Sequence, residues 1–501
     1  MTKLKTFLNN QWFFPILILY YGIFYILFGE SYPFNGGLSF DGTVFSSFIP
    51  DFTKSFYFDS FYVTRILPAL LVSVFFKLFS INSTQEHILV AFQILNLISI
   101  ILSCYFLKQI LLLFKISIKI QLLSFTLFLF NFGVVKSPFY LPVMTDTFAL
   151  MVSTALLYFY FKNNIAGIVF FTFLAAFTWP MSYYQGLLLI AFPFCFLPFK
   201  SPLRWQKISI YIGSVLFALA LIIIIIFIEK FDNNPGYFIM MIDRNLLPLS
   251  ILGIVLLYFF FAQLFLNRTL FDMSLFLKKI SYKRILISFG VFATVLLIIH
   301  FLSPKPISNA SIPQILRDPT IQGLIKPLIS IVAHTGYFGI IVCLLLLFWN
   351  SFSKTVSQMG WGILAALGLN LFLFGIAPES RHLINLMPWL IVFLAITFNK
   401  YWFSNSFYIV VGLLSFVASK IWLLLNVYDS FPSTGMDKNG SLGLPEQLFW
   451  MNIGQYMSEQ MYYIQGAMML FFTGILFLLL YKVELNKFDK VKLIRRYQIL
   501  K

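Results

Sequence analysis

Runs of apolar residues follow one another along the whole chain, and short polar breaks separate them. Several runs reach about 20 residues, the length that a helix needs to cross the hydrocarbon core of a bilayer. We therefore predict an all-α fold, a polytopic transmembrane helix bundle with about fourteen spans. The predicted spans are 11–28, 88–108, 119–137, 146–161, 164–180, 182–198, 207–229, 245–266, 285–303, 326–349, 361–377, 383–398, 404–426 and 461–481.

One further apolar run, 66–80, decides the orientation of the bundle. If this run crossed the membrane, Lys108, Lys115 and Lys119 would face outward. If it lies along the outer surface as an amphipathic or re-entrant helix, every loop rich in Lys and Arg falls inside. We therefore predict an outer-surface helix within a first external loop that covers residues 29–87.

The composition narrows the class of protein. Hydrophobic residues make up 60% of the chain and charged residues only 11%, whereas soluble domains carry about 25% charged residues. These values exclude a soluble enzyme, a disordered chain and a disulfide-stapled secreted domain, and the three cysteines show no CxxC spacing. The net charge of +17 does not indicate a nucleic-acid partner, because the basic residues lie in short loops and at the C-terminus.

The charges divide unevenly between the two predicted sides. Of the 35 Lys and Arg residues, 23 fall in the inner loops and tails, whereas 15 of the 18 acidic residues fall outside. Because Lys and Arg set the orientation, both termini are predicted to face the cytoplasm. The acidic excess outside needs another explanation, and chemistry on the outer face is one. The inner loops carry no GxxxxGK, GxGxxG or HExxH motif. The sequence therefore predicts no nucleotide-hydrolysing domain on the cytoplasmic side.

Two outer carboxylates are the first candidates for catalysis. Asp41 precedes Gly42 in the first external loop, and Asp146 stands directly before an apolar run in a second, shorter loop. Each alone has an ordinary explanation, a turn aspartate for Asp41 and a helix N-cap for Asp146. Together, two carboxylates on one face can share general-base work or hold a divalent ion. A divalent metal ion is therefore the one cofactor that the sequence leaves open.

The densest polar cluster lies in a third external loop, 377–382, and a fourth external loop covers 427–460. Arg381 in this cluster can bind a phosphate with two parallel hydrogen bonds. His382 can add a donor or titrate near neutral pH, and Glu379 is predicted with them as a substrate-binding residue. The alternative is that Arg381 extends toward lipid headgroups and that Glu379 simply pairs with it.

Arg65 is a further candidate, because it stands at the start of the predicted surface helix. A contact with substrate and a salt bridge to Asp41, Asp51 or Asp59 are both open for its guanidinium. Trp179 lies near a predicted outer boundary, which is typical of an aromatic belt, although aromatic rings also stack on sugars. Arg65 therefore joins the predicted substrate-binding residues.

The order of these features resembles one known family. One helix is followed by an outer loop with Asp-Gly, by an Arg-containing surface helix (63–68, Val-Thr-Arg-Ile-Leu-Pro) and by a second acidic loop. This order is similar to that of the GT-C superfamily of membrane glycosyltransferases, which includes protein mannosyltransferases and aminoarabinose transferases. Asp41 matches the catalytic carboxylate of the family's first loop, and Asp146 matches its second acidic position. Arg381 is similar to the basic position that some members use for the carrier phosphate.

The resemblance implies a catalytic module over residues 1–230 and further transmembrane helices over 231–501. It implies an enzyme that takes a sugar from a polyprenyl-phosphate carrier and passes it to a glycan, lipid or protein acceptor on the outer face. A composition rich in Phe, Ile, Lys and Asn favours a bacterial inner membrane. Two alternatives stay open: a transporter or flippase of a lipid-linked glycan, and a surface-polysaccharide polymerase or ligase.

Overall fold

The computed structural model describes residues 12–39, 41–52, 60–231, 239, 241–303, 312–426 and 454–480. The first helices are α1 Phe13–Phe28, α2 Asp41–Ser47, α3 Ser60–Val63, α4 Leu67–Leu78, α5 Gln85–Leu113, α6 Ile118–Leu129, α7 Phe132–Val135, α8 Ser137–Tyr140, α9 Asp146–Phe161, α10 Ile165–Ala176 and α11 Pro180–Ala191. They are followed by α12 Arg204–Phe231, α13 Leu247–Ala262, α14 Met273–Lys279, α15 Tyr282–Leu302, α16 Ile312–Leu324, α17 Ile329–Phe338, α18 Ile340–Val356, α19 Trp361–Phe374, α20 Met387–Phe398, α21 Asn405–Ser419 and α22 Glu459–Leu480.

The helices confirm the prediction of an all-helical integral membrane protein. Within the described residues, six are long and apolar enough to cross a bilayer, and a bent pair that starts with α6 can supply a seventh span. A helix lies at every predicted span, but two of these helices end early. The helix predicted over 182–198 stops at Ala191, because Pro193 follows it. The helix predicted over 404–426 stops at Ser419, where Lys420 adopts a left-handed conformation.

Two predicted spans are broken, and the two breaks face each other. The span 119–137 bends by 71° between α6 and the segment formed by α7 and α8. The span 326–349 divides into α17 and α18 at Gly339, whose φ of +68° interrupts the helix. The segments touch where the ring of Tyr337 lies against α7, and a Cβ atom added to Gly133 would come within 2.6 Å of that ring. Neither break was anticipated from the run of apolar residues.

The centre of the bundle is formed by α9 and α20. All twelve residues of α20 are buried, and α9 contacts α5, α10, α11 and α20. In contrast, α12, α15 and α22 carry many large apolar side chains on their outer faces. In a membrane protein these faces contact lipid, because the bilayer offers no water from which an apolar surface must be hidden.

The helix expected over residues 66–80 is present as α4. Its twelve residues are about 18 Å long, which is too short to cross a core of about 30 Å. One face packs on α5 through Val72 and Phe76, and the hydroxyl of Ser73 donates to the Ile49 carbonyl at 2.7 Å. Leu78 on the other face is exposed. This helix therefore lies beside α5 and fixes the end of the segment 29–87 that is predicted as the first external loop.

Candidate functional site

Asp41 is the first residue of α2, and its position depends on the glycine that follows. A Cβ atom added to Gly42 would lie 3.1 Å from both the Cβ atom and the carbonyl oxygen of Val143. The absence of a side chain at position 42 therefore lets α2 approach the second external loop closely. The Asp-Gly pair noticed in the sequence thus has a packing function, which brings Asp41 next to the loop that ends at Asp146.

Asp146 is the first residue of α9 and is almost completely buried. The residue at the N-cap is Thr145, so the alternative interpretation of Asp146 as the N-cap is wrong by one position. The side-chain amide of Asn96 holds the preceding loop by donating to the carbonyls of Pro138 and Pro142 at 2.7 and 2.9 Å. The carboxylate also gains from the positive end of the α9 dipole.

A buried ion pair holds the opposite side of the same loop. The ammonium of Lys136 lies 2.7 Å from the Glu30 carboxylate. This carboxylate also accepts hydrogen bonds from the backbone N–H groups of Leu425 and Asn426. The second external loop is therefore clamped between α2 and the segment that follows α21, and Asp146 sits at the end of this rigid loop.

The predicted third external loop, 377–382, leads into a seven-residue 3₁₀ helix, Ser380–Leu386, of about two turns, which presents Arg381 and His382 to the carboxylates. Arg381 Nε lies 2.7 Å from Glu379 Oε1, and Arg381 Nη1 lies 3.9 Å from Asp41 Oδ2. His382 Nε2 lies 3.5 Å from the same oxygen of Glu379. The pairing of Arg381 with Glu379 that the sequence offered as an alternative is therefore formed, and the guanidinium also faces the Asp41 carboxylate.

Two hydrogen bonds from neighbouring helices fix this 3₁₀ helix. His334 Nδ1 on α17 lies 2.9 Å from the hydroxyl oxygen of Ser380. The hydroxyl of Ser153 on α9 donates to the Asn385 carbonyl at 2.6 Å. Because α9 also carries Asp146, the same helix positions a carboxylate and the 3₁₀ helix that bears Arg381.

Arg65 completes the cluster from the other side. Its guanidinium lies over the rings of Phe61 and Trp179, at 4.1 and 4.6 Å from the two centroids. The Trp179 ring also lies 5.9 Å from that of His382, so it links the two halves of the cluster. Among the described residues Arg65 has no carboxylate at salt-bridge distance, and its Nε atom is buried without a hydrogen-bond partner. The alternative of a salt bridge to Asp41 or Asp51 is therefore not formed, and Asp59 lies outside the described residues.

The charges of the cluster influence one another strongly. Burial alone raises the pKa of the Glu379 carboxyl, but the adjacent His382 and Arg381 outweigh it and lower that pKa to about 2. Burial, followed by the positive charge of Arg381, lowers the pKa of Arg65 to about 10, while three nearby carboxylates oppose the shift. Glu379 and Arg65 are therefore both ionised at neutral pH.

The structure brings together all six residues that the sequence singled out. These are Asp41, Arg65, Asp146, Glu379, Arg381 and His382. Reasoning from sequence missed the contribution of Trp179, which was assigned to an aromatic belt and is buried beneath Arg65. It also missed Tyr337, which lies within electrostatic reach of Asp146. No pattern in the sequence connects α17 with the second external loop, so only the folded chain reveals this contact.

The positions of the charged side chains also concern the divalent metal ion that the sequence leaves open. Among the described residues, no group of three or more His, Cys, Asp and Glu side chains is placed to hold a metal ion. The guanidinium of Arg381 stands between the carboxylates of Asp41 and Glu379. Most of the predicted external loop 427–460, namely residues 427–453, lies outside the described residues.

No family model, curated protein or solved structure matches this chain. The likeness to the GT-C superfamily therefore rests on the short motifs and on the order of the elements that carry them.

Glu379→Gln is expected to destabilise the protein at neutral pH. The pKa of Glu379 in the folded protein, about 2, is below its ordinary value of 4.5, so its carboxylate stabilises the folded state fully above about pH 4.5. This contribution is lost as the pH falls toward about 2. Apparent thermal unfolding midpoints of the parent and the variant, measured from neutral pH downward, should converge below about pH 4.5. A difference between the two unfolding midpoints that stays constant at all pH values would contradict a lowered pKa for Glu379.

Proposed function

We propose that this protein is a membrane glycosyltransferase that moves a sugar from a polyprenyl-phosphate carrier to an acceptor on the outer face of the membrane. The observation that supports the proposal most is the meeting of three carboxylates and two guanidinium groups at one end of an apolar helix bundle. A lipid-linked donor keeps its tail in the bilayer and its phosphate at the surface, so a reaction on it requires charged groups at that depth. Fixed cations there stabilise the negative charge that develops on a departing phosphate.

In the proposed reaction the acceptor oxygen attacks the anomeric carbon of the sugar. The bond from this carbon to the phosphate oxygen breaks, and polyprenyl phosphate leaves with the electron pair. Asp41, the more accessible carboxylate, accepts the proton of the acceptor hydroxyl or orients it. Asp146 assists it from the buried side, or helps to hold a divalent ion. Arg381 binds the phosphate with help from Arg65 and His382.

The finer topology belongs to the same proposal. In this proposal the chain crosses a bacterial inner membrane about fourteen times and has both termini in the cytoplasm. The charged cluster then faces the outer side of that membrane. The uneven distribution of Lys and Arg supports this orientation. The short helix α4 and the two broken spans then lie in the outer half of the bundle, next to the cluster.

Cysteine labelling tests this orientation. In a variant that carries Ser83→Cys and lacks the half-buried Cys195, a membrane-impermeant thiol reagent is expected to label intact cells from outside. Ser83 lies in the exposed link between α4 and α5, and the other two cysteines are buried. Labelling that occurs only after permeabilisation would show that the cluster faces the cytoplasm.

One observation favours a second candidate function, a transporter or flippase of a lipid-linked glycan. Transporters place their substrates where two broken helices meet, and here the break between α6 and α7 faces α17. The charged residues, however, gather at one end of the bundle rather than at its middle, which favours the transferase. A polysaccharide polymerase or ligase would use the same leaving group and the same cluster.

The chemistry of the donor separates these functions. Cells that lack the protein are expected to accumulate a lipid-linked sugar, and this lipid can be extracted and offered to the purified protein with a membrane extract as acceptor. A transferase will release polyprenyl phosphate, which mass spectrometry detects. A transporter will move the intact lipid-linked glycan across vesicles without breaking the sugar–phosphate bond, and that result would reject the enzyme.

A further inference from the structure

A second charged site lies at the end of the bundle opposite the cluster. Tyr160 stands fourteen residues after Asp146 on α9, which places it about 21 Å away along the helix axis. Its side chain is completely buried, yet its hydroxyl has no hydrogen-bond partner. Gly362 at the start of α19 makes room for this hydroxyl, since an added Cβ atom would lie 2.7 Å from it. A buried, unpaired hydroxyl is costly, and the cost is removed when a ligand supplies the partner.

Two cations lie in the region of this hydroxyl, and the second of them, Lys279, belongs to the short helix α14, whose Phe276 packs against Phe192 and Trp361. Arg284, in the first turn of α15, lies within electrostatic reach of Tyr160, and its Nη1 atom is also buried without a hydrogen-bond partner. Lys279, exposed at the end of α14, lies within electrostatic reach of Cys195, which in turn lies within electrostatic reach of Tyr160. Neither cation has a carboxylate at salt-bridge distance among the described residues. The site therefore offers two positive charges and an unpaired hydroxyl, a set that matches the oxygens of a phosphate group.

The surroundings of this site indicate that the phosphate belongs to a lipid. Helix α14 exposes Met273 and Leu277 beside its lysines, and the neighbouring α15 exposes Tyr282 and Leu286. Large apolar side chains next to cations are typical of a segment that lies in the membrane interface. Helix α14 is held there because the ring of Phe276 packs against Trp361. A free phosphate ion would gain nothing from this apolar rim, whereas acyl chains would cover it.

We propose that Arg284, Lys279 and Tyr160 form a binding site for the headgroup phosphate of an anionic phospholipid. The site lies at the opposite end of the molecule from the glycosyltransferase cluster and does not depend on the function proposed for it. Basic pockets between transmembrane helices on the cytoplasmic side bind such headgroups in this way. The bound lipid would hold α14 and the start of α15 against the inner end of α9.

Lipid binding by the detergent-purified full-length protein tests the site. The protein is titrated with phosphatidylglycerol, and the bound lipid is counted by native mass spectrometry. Arg284→Gln is expected to weaken the tightest binding event at least about tenfold, because it removes a charged hydrogen-bond donor. Tyr160→Phe keeps the packing and should weaken binding several-fold. Lys283→Gln is the matched control, since this lysine is adjacent, equally charged and exposed, and it should leave the tightest event unchanged.

Two further measurements identify the source of the phosphate. Inorganic phosphate and zwitterionic phosphatidylcholine, added at the same concentration, should not displace phosphatidylglycerol. Displacement by inorganic phosphate would overturn the lipid assignment in favour of a free anion. Equal binding by the parent and Arg284→Gln, or equal weakening in Lys283→Gln, would reject the site itself.

Discussion

Asp41→Asn is expected to abolish sugar transfer while leaving the protein folded. The amide preserves the shape of the side chain, but it cannot accept a proton from the acceptor hydroxyl. Loss of a general base costs about 10²–10⁴-fold in rate. The carboxylate lies 3.9 Å from Arg381 and is only partly buried, so its removal breaks a long ion pair and leaves the helix contacts of α2 unchanged. The release of polyprenyl phosphate per folded molecule measures the effect.

Asp243→Asn provides the control for Asp41→Asn. This aspartate accepts hydrogen bonds from the backbone N–H groups of Asn245 and Leu246 just before α13, and asparagine can accept the same bonds. It is predicted to lie on the same side of the membrane as the cluster, so the variant changes the charge without touching the cluster. Transfer should stay at the parent level. If Asp41→Asn retains a rate within a few-fold of the parent, Asp41 is not the base.

Substitutions of Arg381 are expected to act mainly on the lipid-linked donor, and in a graded way. Lysine keeps the charge but loses the planar pair of donors, so Arg381→Lys should be impaired. Alanine has neither the charge nor the planar donors, so Arg381→Ala should be nearly inactive. A hydrogen bond to a charged partner contributes about 1.5–3 kcal/mol, so the donor-side kcat/KM of Arg381→Ala should fall at least about tenfold. Transfer rates against donor concentration, for equal amounts of purified protein, give this value.

The structure adds a stability effect that must be separated from catalysis. Arg381 neutralises Glu379 at 2.7 Å, and removal of one partner of a buried pair costs about 3–5 kcal/mol. Arg381→Ala therefore needs a companion, the double variant Arg381→Ala with Glu379→Gln, in which no buried charge is left alone. If stability returns, transfer stays low and Glu379→Gln alone retains transfer, Arg381 acts on the substrate. If transfer recovers together with stability, the arginine is a structural partner of Glu379 and the phosphate-binding role is wrong.

Much of the fold follows from local properties of the chain. Apolar runs of about 20 residues have one stable form in a bilayer, because a helix is the single-segment structure that satisfies its own backbone hydrogen bonds. Helices therefore occur at every predicted span, and the amphipathic run at 66–80 forms the short α4. The breaks inside 119–137 and 326–349 escaped prediction, although Asn131 stands at the first and caps α7, and Gly339 stands at the second. The second break depends on the backbone conformation of Gly339, whose φ is positive.

For the candidate site too, the sequence identifies the residues, whereas only the structure identifies their contacts. Residue type and position at the ends of apolar runs were enough to select Asp41, Asp146 and Arg381. Nothing in the sequence measures the distance between loops that are separated by more than two hundred residues. The convergence depends on packing: Gly42 admits the second loop, and Ser153 ties α9 to the third loop.

The sequence by itself determined that this chain is a helical membrane protein and which polar residues stand at the ends of its helices. Both results depend on hydrophobicity and on spacing along the chain, which are local quantities. Only the tertiary structure decided that Arg65 stacks on Trp179 and pairs with no carboxylate of the described residues, and that Arg381 lies between Asp41 and Glu379. It also brought Arg284 within electrostatic reach of Tyr160, whose hydroxyl is unpaired. Partners of this kind are chosen by the packing of helices against one another, because a buried charge takes whichever compensating group the neighbouring helix presents.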